Sequence, residues 1–269
     1  MTKALQQLLY APYQFLTDGA YRKFIGLLAR YGSSERYKRT TIRISGLVLE
    51  VADALSFVWQ YKEIFVDQSY FIPEVRPGGL IIDCGANIGL SSIYFSKNHP
   101  KAEIIAFEPD QHIFELCQKN LQANQCKNVK VRNEAVWIAN QNLYFEQEGA
   151  DGGKISTHGN KAIEVQGIDL KQFLASLPPV ELLKMDVEGA EWELIPHIAE
   201  ELNGVNYLFI EYHLRKNQIP RLSEILLSVE QAGFSYHVFN PYAKKRPFEM
   251  AKGVEKEFAM QLNIHCYRA

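Results

Sequence analysis

The sequence predicts an α/β protein built on a doubly wound, mostly parallel sheet. Three observations carry that expectation. Between residues 80 and 232, short apolar runs rich in branched side chains alternate with helix-patterned stretches; three of the runs lead into an acid; and the last two runs have no helical stretch between them. Strands joined by helical crossovers run parallel with helices on both faces, because such crossovers are right-handed. The helix-free pair, residues 235–239 and 258–267, is joined by an irregular basic stretch. That suits an antiparallel terminal hairpin, giving a seven-stranded sheet whose last strand is antiparallel.

In chain order, residues 5–28 space their apolar side chains by threes and fours, with breaks near Pro12 and Gly19, so two amphipathic helices are expected. They are expected to cap the main core or to form a homodimer contact, in preference to a membrane-surface role through Lys3, Arg22, Lys23 and Arg30. Residues 41–51 (TIRISGLVLEV) alternate and read as a strand pair. Residues 54–72 are helix-patterned, and Pro77-Gly78-Gly79 then breaks the chain. The expected division is an N-terminal helical and hairpin extension over 1–53 and one Rossmann-like domain over 54–269.

Within that domain strands are expected at 80–84, 102–107, 129–136, 180–185 and 207–210, and helices from 89, over 113–123, over 191–198 with Pro196 bending it, and over 222–232 closed by Gly233. A polar region between 136 and 180 carries strand-like runs at 143–146 and 163–165, bracketing a Gly-rich loop over 149–160 (GADGGKISTHGN). Its length suits a lid, with an ordinary hairpin turn as the plainer reading, and its His158 reads as a solvated side chain.

Bulk properties narrow the function. The chain has 269 residues, 47% of them hydrophobic, which is ample for a buried core. Its 29 Lys and Arg against 31 Asp and Glu leave a formal charge of −2, arguing against a nucleic-acid binder that relies on phosphate neutralisation. Cys84, Cys117, Cys126 and Cys266 form no CxxC pair and no zinc-like set with the seven histidines, so reduced thiols in a cytoplasmic protein are expected. Polar residues at 6, 7, 14, 18, 22 and 23 interrupt the N-terminal apolar patches, and no transmembrane segment is expected there.

The segment LIIDCGANIGLSS puts Asp83 at a strand end, with Gly85, Ala86, Asn87 and Gly89 in the turn that follows. Glycines allow a tight turn and close approach to a ligand, and the N–H groups at the helix start favour a carboxylate. Asp83 is expected to receive an ammonium group there and to repel a pyrophosphate, which favours S-adenosylmethionine over NAD. The dinucleotide pattern GxGxxG also fails, because position 87 is Asn. Glu108, 23 residues past Gly85 and followed by Pro109, stands at the end of the second strand, where an acid can accept both ribose hydroxyls. Glu134 and Ala135 after the third strand are expected beside the adenine.

Around the fourth strand's end lie Lys184, Asp186, Glu188 and Glu191. Asp186 is expected near the reactive methyl group, with Glu188 beside it; Glu191 reads as an acid complementing a helix dipole. The fifth strand adds Glu211 and His213. Methyl transfer to oxygen needs in-line geometry and loss of the hydroxyl proton, so Glu211 or His213 is expected as the base, with Asp186 competing. Asp186, Glu188, Glu211 and His213 are also ligand types for a divalent metal, although no spacing compels one and a site without metal is expected. Rival readings are a NAD-linked or nucleotide-sugar oxidoreductase, and a non-catalytic binding protein on the same fold.

In order along the chain stand Asp83-Cys84-Gly85-Ala86-Asn87-Ile88-Gly89, Phe107-Glu108-Pro109, Lys184-Met185-Asp186-Val187-Glu188-Gly189-Ala190-Glu191 and Glu211-Tyr212-His213. This succession resembles the FkbM family of methyltransferases over roughly residues 55–240, the KxDxEGAE segment being its most specific part. The resemblance implies a class I methyltransferase fold and O-methylation of a hydroxyl on a sugar, glycolipid or polyketide-type small molecule, using S-adenosylmethionine. It further implies that Asp83, Gly85, Asn87, Glu108 and Asp186 line the cofactor, with Glu188, Glu211 and His213 toward the acceptor. One departure is visible: where the family often has an aspartate pair, this chain has Gly167-Ile168-Asp169-Leu170-Lys171, with the first acid only.

Overall fold

Alternating branched residues meet a two-residue turn at the head of the chain, and a hairpin results. Strands β1 (Thr40–Ile44) and β2 (Leu47–Val51) pair antiparallel around Ser45 and Gly46, whose φ values of 56° and 81° fit the turn type that matches strand twist. The structure is a computed structural model that describes residues 10–147, 153–156, 162–215, 219–241 and 258–268. Helices α1 (Tyr10–Thr17) and α2 (Gly19–Tyr31) precede the hairpin; Leu5, Leu8 and Leu9 lie outside the described residues. Pro12 sits in the first turn of α1, where a missing N–H costs nothing, and within the described residues the break falls at Asp18. The Asp18 carboxylate accepts from the Ala20 and Tyr21 N–H groups and starts α2.

Phe24 and Leu27 of α2 are buried in one core with Ile42, Leu49 and Val51 of the hairpin and Ile81 and Ile93 of the main domain. Of the two helices, α2 therefore packs on that core, while α1 leaves Tyr13, Phe15 and Leu16 exposed. Helix α3 (Ala54–Tyr61) widens into a π-helical turn (Lys62–Val66). The helix expected to reach residue 72 stops there, because Asp67 closes the turn and Gln68 takes a left-handed φ of 52°. Tyr70 and Ile72 are buried without helical structure.

The main sheet has the order β12-β13-β11-β10-β3-β4-β5, built from β3 (Leu80–Cys84), β4 (Glu103–Phe107), β5 (Val129–Arg132), β10 (Val180–Met185), β11 (Val205–Arg215), β12 (Ser235–Phe239) and β13 (Phe258–Tyr267). Pairs β5/β4, β4/β3, β3/β10 and β10/β11 are parallel, and β13 lies antiparallel between β11 and β12. This is the seven-stranded sheet with an antiparallel last strand that the sequence predicts. Along β3 the side chains alternate between two cores: Ile81 packs with the N-terminal elements, Leu80, Ile82 and Cys84 with the opposite layer. The first layer includes α4 (Leu90–Asn98) and α5 (Gln111–Ala123); the second includes α6 (Leu170–Ala175), α7 (Glu191–His197) and α8 (Leu222–Gln231).

Three expectations need correction. The single strand over 129–136 is two: β5 joins the main sheet, while β6 (Ala135–Trp137) joins a separate four-stranded sheet with β7 (Gln141–Gln147), β8 (Gly153–Ser156) and β9 (Ala162–Asp169). Asn133 between them donates to the carbonyls of Glu108 and Pro109 and turns the chain over the end of β4. Strand β8 occupies part of the Gly-rich stretch; the rest, with His158, lies outside the described residues. Second, the residue pattern between 136 and 180 shows no helix, and only the family resemblance implies the one found there, α6. Asp169 caps it, accepting from the Lys171 and Gln172 N–H groups and lying 3.0 Å from His197 Nε2, so the lone acid at the family's aspartate pair starts a helix. Third, β11 runs to Arg215 instead of ending at Ile210. Its parallel partner β10 stops at Met185, opposite Ile210, but β13 continues the pairing through Glu211, Tyr212, His213 and Leu214.

Candidate functional site

Parallel strands end together, and over the carboxyl ends of β3, β4, β10 and β11 opens a cavity of about 850 Å³. Gly85, Ala86, Asn87, Glu108 and Pro109 line one part of it, with Glu134 and Ala135. Asp186, Glu188, Glu211 and His213 line another.

The loop after β3 owes its shape to contact with the next strand. Gly85 has φ 88°, and a Cβ there would come within 1.8 Å of the Asp186 carbonyl oxygen. Its N–H and that of Ala86 donate to the Phe107 carbonyl, while the Asp186 N–H donates to the Cys84 carbonyl, so three strand ends are tied together. Glu108 accepts from the Asn87 N–H (2.9 Å) through one oxygen and from the Asp110 N–H (2.9 Å) through the other. Burial pushes its carboxyl up to about 8 despite those two bonds.

Asp83, expected to meet the ligand, lies under the loop and outside the cavity lining, fully buried. Its Oδ2 accepts from the hydroxyls of Ser91 and Ser92 (2.6 Å each), and its Oδ1 is 3.2 Å from Lys184 Nζ. In this arrangement Asp83 acts on the cavity through Lys184. That lysine is 1% exposed and reaches the Gly85 carbonyl (2.9 Å) and Asp186 Oδ2 (3.2 Å). Burial alone would discharge it, but the carboxylates of Asp83, Asp186 and Glu211 outweigh burial and hold it cationic. Lys184 thus joins the glycine loop to Asp186. The sequence signal was available: Lys184 is, with Glu181, one of two charged residues in the otherwise apolar β10.

His213 stands among three acids. Its Nδ1 is 3.1 Å from Glu191 Oε1, and its Nε2 is 3.7 Å from both Glu188 Oε2 and Glu211 Oε1. Burial disfavours the imidazolium, yet Glu188, Glu191 and Glu211 hold the ring's proton affinity well above the ordinary histidine range. Burial likewise raises Glu211, helped by Asp186 and Glu63. Glu191, expected only to complement a dipole, is fully buried and also accepts from the Gly189 N–H (3.0 Å), bracing the turn in which Glu188 and Gly189 take φ 57° and 104°. Asp186, Glu211 and His213 each bring one ligand-type atom to within 4.8 Å of the others, a set able to hold a metal ion.

Sequence reasoning passed over Glu63, Tyr70, Gln261 and Asn263. Gln261 donates to Glu211, and Asn263 donates to Glu63 (2.8 Å), whose carboxyl burial raises. The Tyr70 ring lies beneath Lys184 Nζ. On β13 the polar residues 261, 263 and 265 alternate with apolar 262, 264 and 266, a visible mark of a strand with one polar face inside the sheet. For Glu63 no such mark exists, since only the π-helical turn brings it to the cavity.

A doubly wound sheet in this strand order, with a glycine loop after the first strand, an acid ending the second and acids after the fourth, is a class I methyltransferase fold. The chain belongs to the FkbM methyltransferase family, whose model, described as "Methyltransferase FkbM domain", matches residues 83–236. It is similar to methyltransferase sdnD of Sordaria araneosa, 29% identical over 52% of this chain and 68% of sdnD. It is also similar to hexuronic acid methyltransferase AglP of Haloferax volcanii (26% identical; 64% of this chain, 74% of AglP) and to 2-O-methyltransferase NoeI of Sinorhizobium fredii (25% identical; 54% and 69%). No described helix is long and apolar enough to cross a membrane.

Proposed function

We propose that this chain transfers a methyl group from S-adenosylmethionine to a hydroxyl of a sugar, glycolipid or polyketide-type small molecule. One observation carries the reading: a single cavity joins the glycine loop and Glu108 to Asp186, Glu211 and His213. The donor set fits the cofactor, because carboxylates outnumber cationic side chains in that lining and would favour a ligand with two cationic centres. When bound, S-adenosylmethionine supplies an electrophilic methyl on a sulfonium.

The protein's part is to bind, orient and deprotonate. Backbone at Gly85 and Asn87 would hold the amino-acid end, Glu108 would accept from the ribose hydroxyls, and Glu134 and Ala135 would flank the base. Asp186, fixed by Lys184, would face the methyl group. With the donor bound, the group formed by Asp186, Glu211 and His213 would take the acceptor hydroxyl's proton as that oxygen is methylated. A carboxyl whose proton affinity burial raises, as it does Glu211's, suits that task. The half-exposed rings of Trp59 and Phe239 at the cavity give a sugar face something to stack on, and the names of AglP and NoeI favour a hydroxylated acceptor.

Calorimetry with S-adenosylhomocysteine and with NAD tests the cofactor: binding of the first and not the second is expected, and the reverse overturns the reading. With a sugar acceptor in hand, Glu211→Gln and His213→Asn are expected to reduce turnover by roughly 100-fold or more with cofactor binding intact.

A further inference from the structure

We propose that Asp186, Glu211 and His213 hold a divalent cation of the Mg²⁺ or Mn²⁺ class at the floor of the cavity. The proposal rests on the methyl-transfer reading and gives these residues a different task within it, acting through the cation in place of serving as the base.

The three ligand-type atoms lie within 4.8 Å of one another, two from carboxylates and one from an imidazole, so that modest side-chain rotation closes them on one ion. Glu211 and His213 are 5% and 2% exposed, so an ion between them is shielded from bulk water, and the His213 ring releases its proton on taking it. Each candidate ligand also has an outer partner of the kind that orients metal ligands. His213 Nδ1 faces buried Glu191 at 3.1 Å, which turns Nε2 toward Glu211. Gln261 donates to Glu211, and Lys184 lies 3.2 Å from Asp186 Oδ2.

An independent sign comes from Asn263. It is 1% exposed, and its carbonyl oxygen Oδ1 has no hydrogen-bond partner among the described residues. Asn263 is paired in register with Glu211, two residues from Gln261, so it shares the strand face that carries Glu211; its amide nitrogen is held by Glu63, which lines the same cavity. A hard oxygen without a donor among the described residues, next to Glu63 and on the strand face of Glu211, suits an ion that takes oxygen ligands and bound water. Two carboxylates with one imidazole and no thiolate favour Mg²⁺ or Mn²⁺ over softer ions.

Such an ion would bind the acceptor hydroxyl and acidify it. The hydroxyl proton then passes to Glu188, whose Oε2 is 3.7 Å from His213 Nε2, as the new oxygen–carbon bond forms and the sulfur–carbon bond breaks.

The test is equilibrium binding of Mn²⁺ to the EDTA-dialysed full chain, without cofactor. One saturable site is expected, with broadening of the His213 ring resonances by bound Mn²⁺. Asp186→Asn and Glu211→Gln are each expected to weaken Mn²⁺ binding by roughly tenfold or more. Absence of a saturable site, sharp His213 resonances at saturation, or unchanged affinity in folded variants overturns the proposal. Calorimetry with S-adenosylhomocysteine on the same sample keeps the two readings apart. Its failure removes the methyl-transfer role and leaves the metal result standing; binding without Mn²⁺ uptake removes only the metal.

Discussion

At position 85 two backbones nearly touch. A methyl group there would meet the Asp186 carbonyl at 1.8 Å, and φ is already 88°, so Gly85→Ala must displace either the loop or the end of β10. We expect it to cost more than ~3 kcal/mol in urea unfolding, while Gly46→Ala, strained by φ alone with open space around it, costs about 1. Glu108 gives a pH signature. Its folded-state value near 8 lies above the 4.5 of an ordinary glutamate, so the native state keeps a proton that the unfolded chain has released. Stability from this group is complete below pH 4.5 and is lost as pH rises through 8. Urea midpoints measured from pH 5 to 8 should fall less steeply in Glu108→Gln than in the parent. Most of these single residues were legible: Gly85, Asn87, Glu108, Asp186, Glu211 and His213 were picked out by spacing and do line one cavity. Asp83 shows the limit, since position at a strand end does not say whether a carboxylate faces ligand or a buried lysine.

Among elements, the join between the hairpin and α5 is made by amides that behave as a strand edge. Asn120 Oδ1 accepts from the Glu50 N–H (2.7 Å) and its Nδ2 donates to the carbonyls of Glu50 and Ile88; Asn124 repeats the pattern on Val48. Asn120→Ala leaves those backbone groups unpaired in a buried place, and a loss of about 2–4 kcal/mol is expected in thermal or urea unfolding. Apolar spacing located β1, β2 and β3 because local pattern and final burial agree there. It missed the split of 129–136 and the length of β11, because both depend on partners distant in sequence: Glu108 and Pro109 in one case, β13 in the other. Helix α6 has only six residues, too few to set a helical period apart from its surroundings.

For the whole molecule, the extension and the sheet share one interior. Phe24, Leu27, Ile42, Leu49 and Val51 are buried against Ile81, Ile93, Leu116 and Leu121. A fragment starting at Ala54 would expose that layer, so we expect it to aggregate or to unfold without a cooperative transition in calorimetry, whereas the full chain unfolds cooperatively. The order of strands was legible as a class because alternation of strand and helix admits few topologies. The shared core was legible only as one of two alternatives, capping the core or pairing with a second copy, since the N-terminal pattern does not say which surface it covers.

The insertion of β13 between β11 and β12 also governs when the cavity can exist during synthesis. Glu211 and His213 leave the ribosome some fifty residues before Gln261 and Asn263, the groups that flank them. Until β13 arrives, β11 offers an unpaired edge carrying a histidine and a buried-type acid, open to wrong partners. A nascent chain arrested near residue 240 should therefore be protease-sensitive at 211–215 while β3 and β4 already resist cleavage.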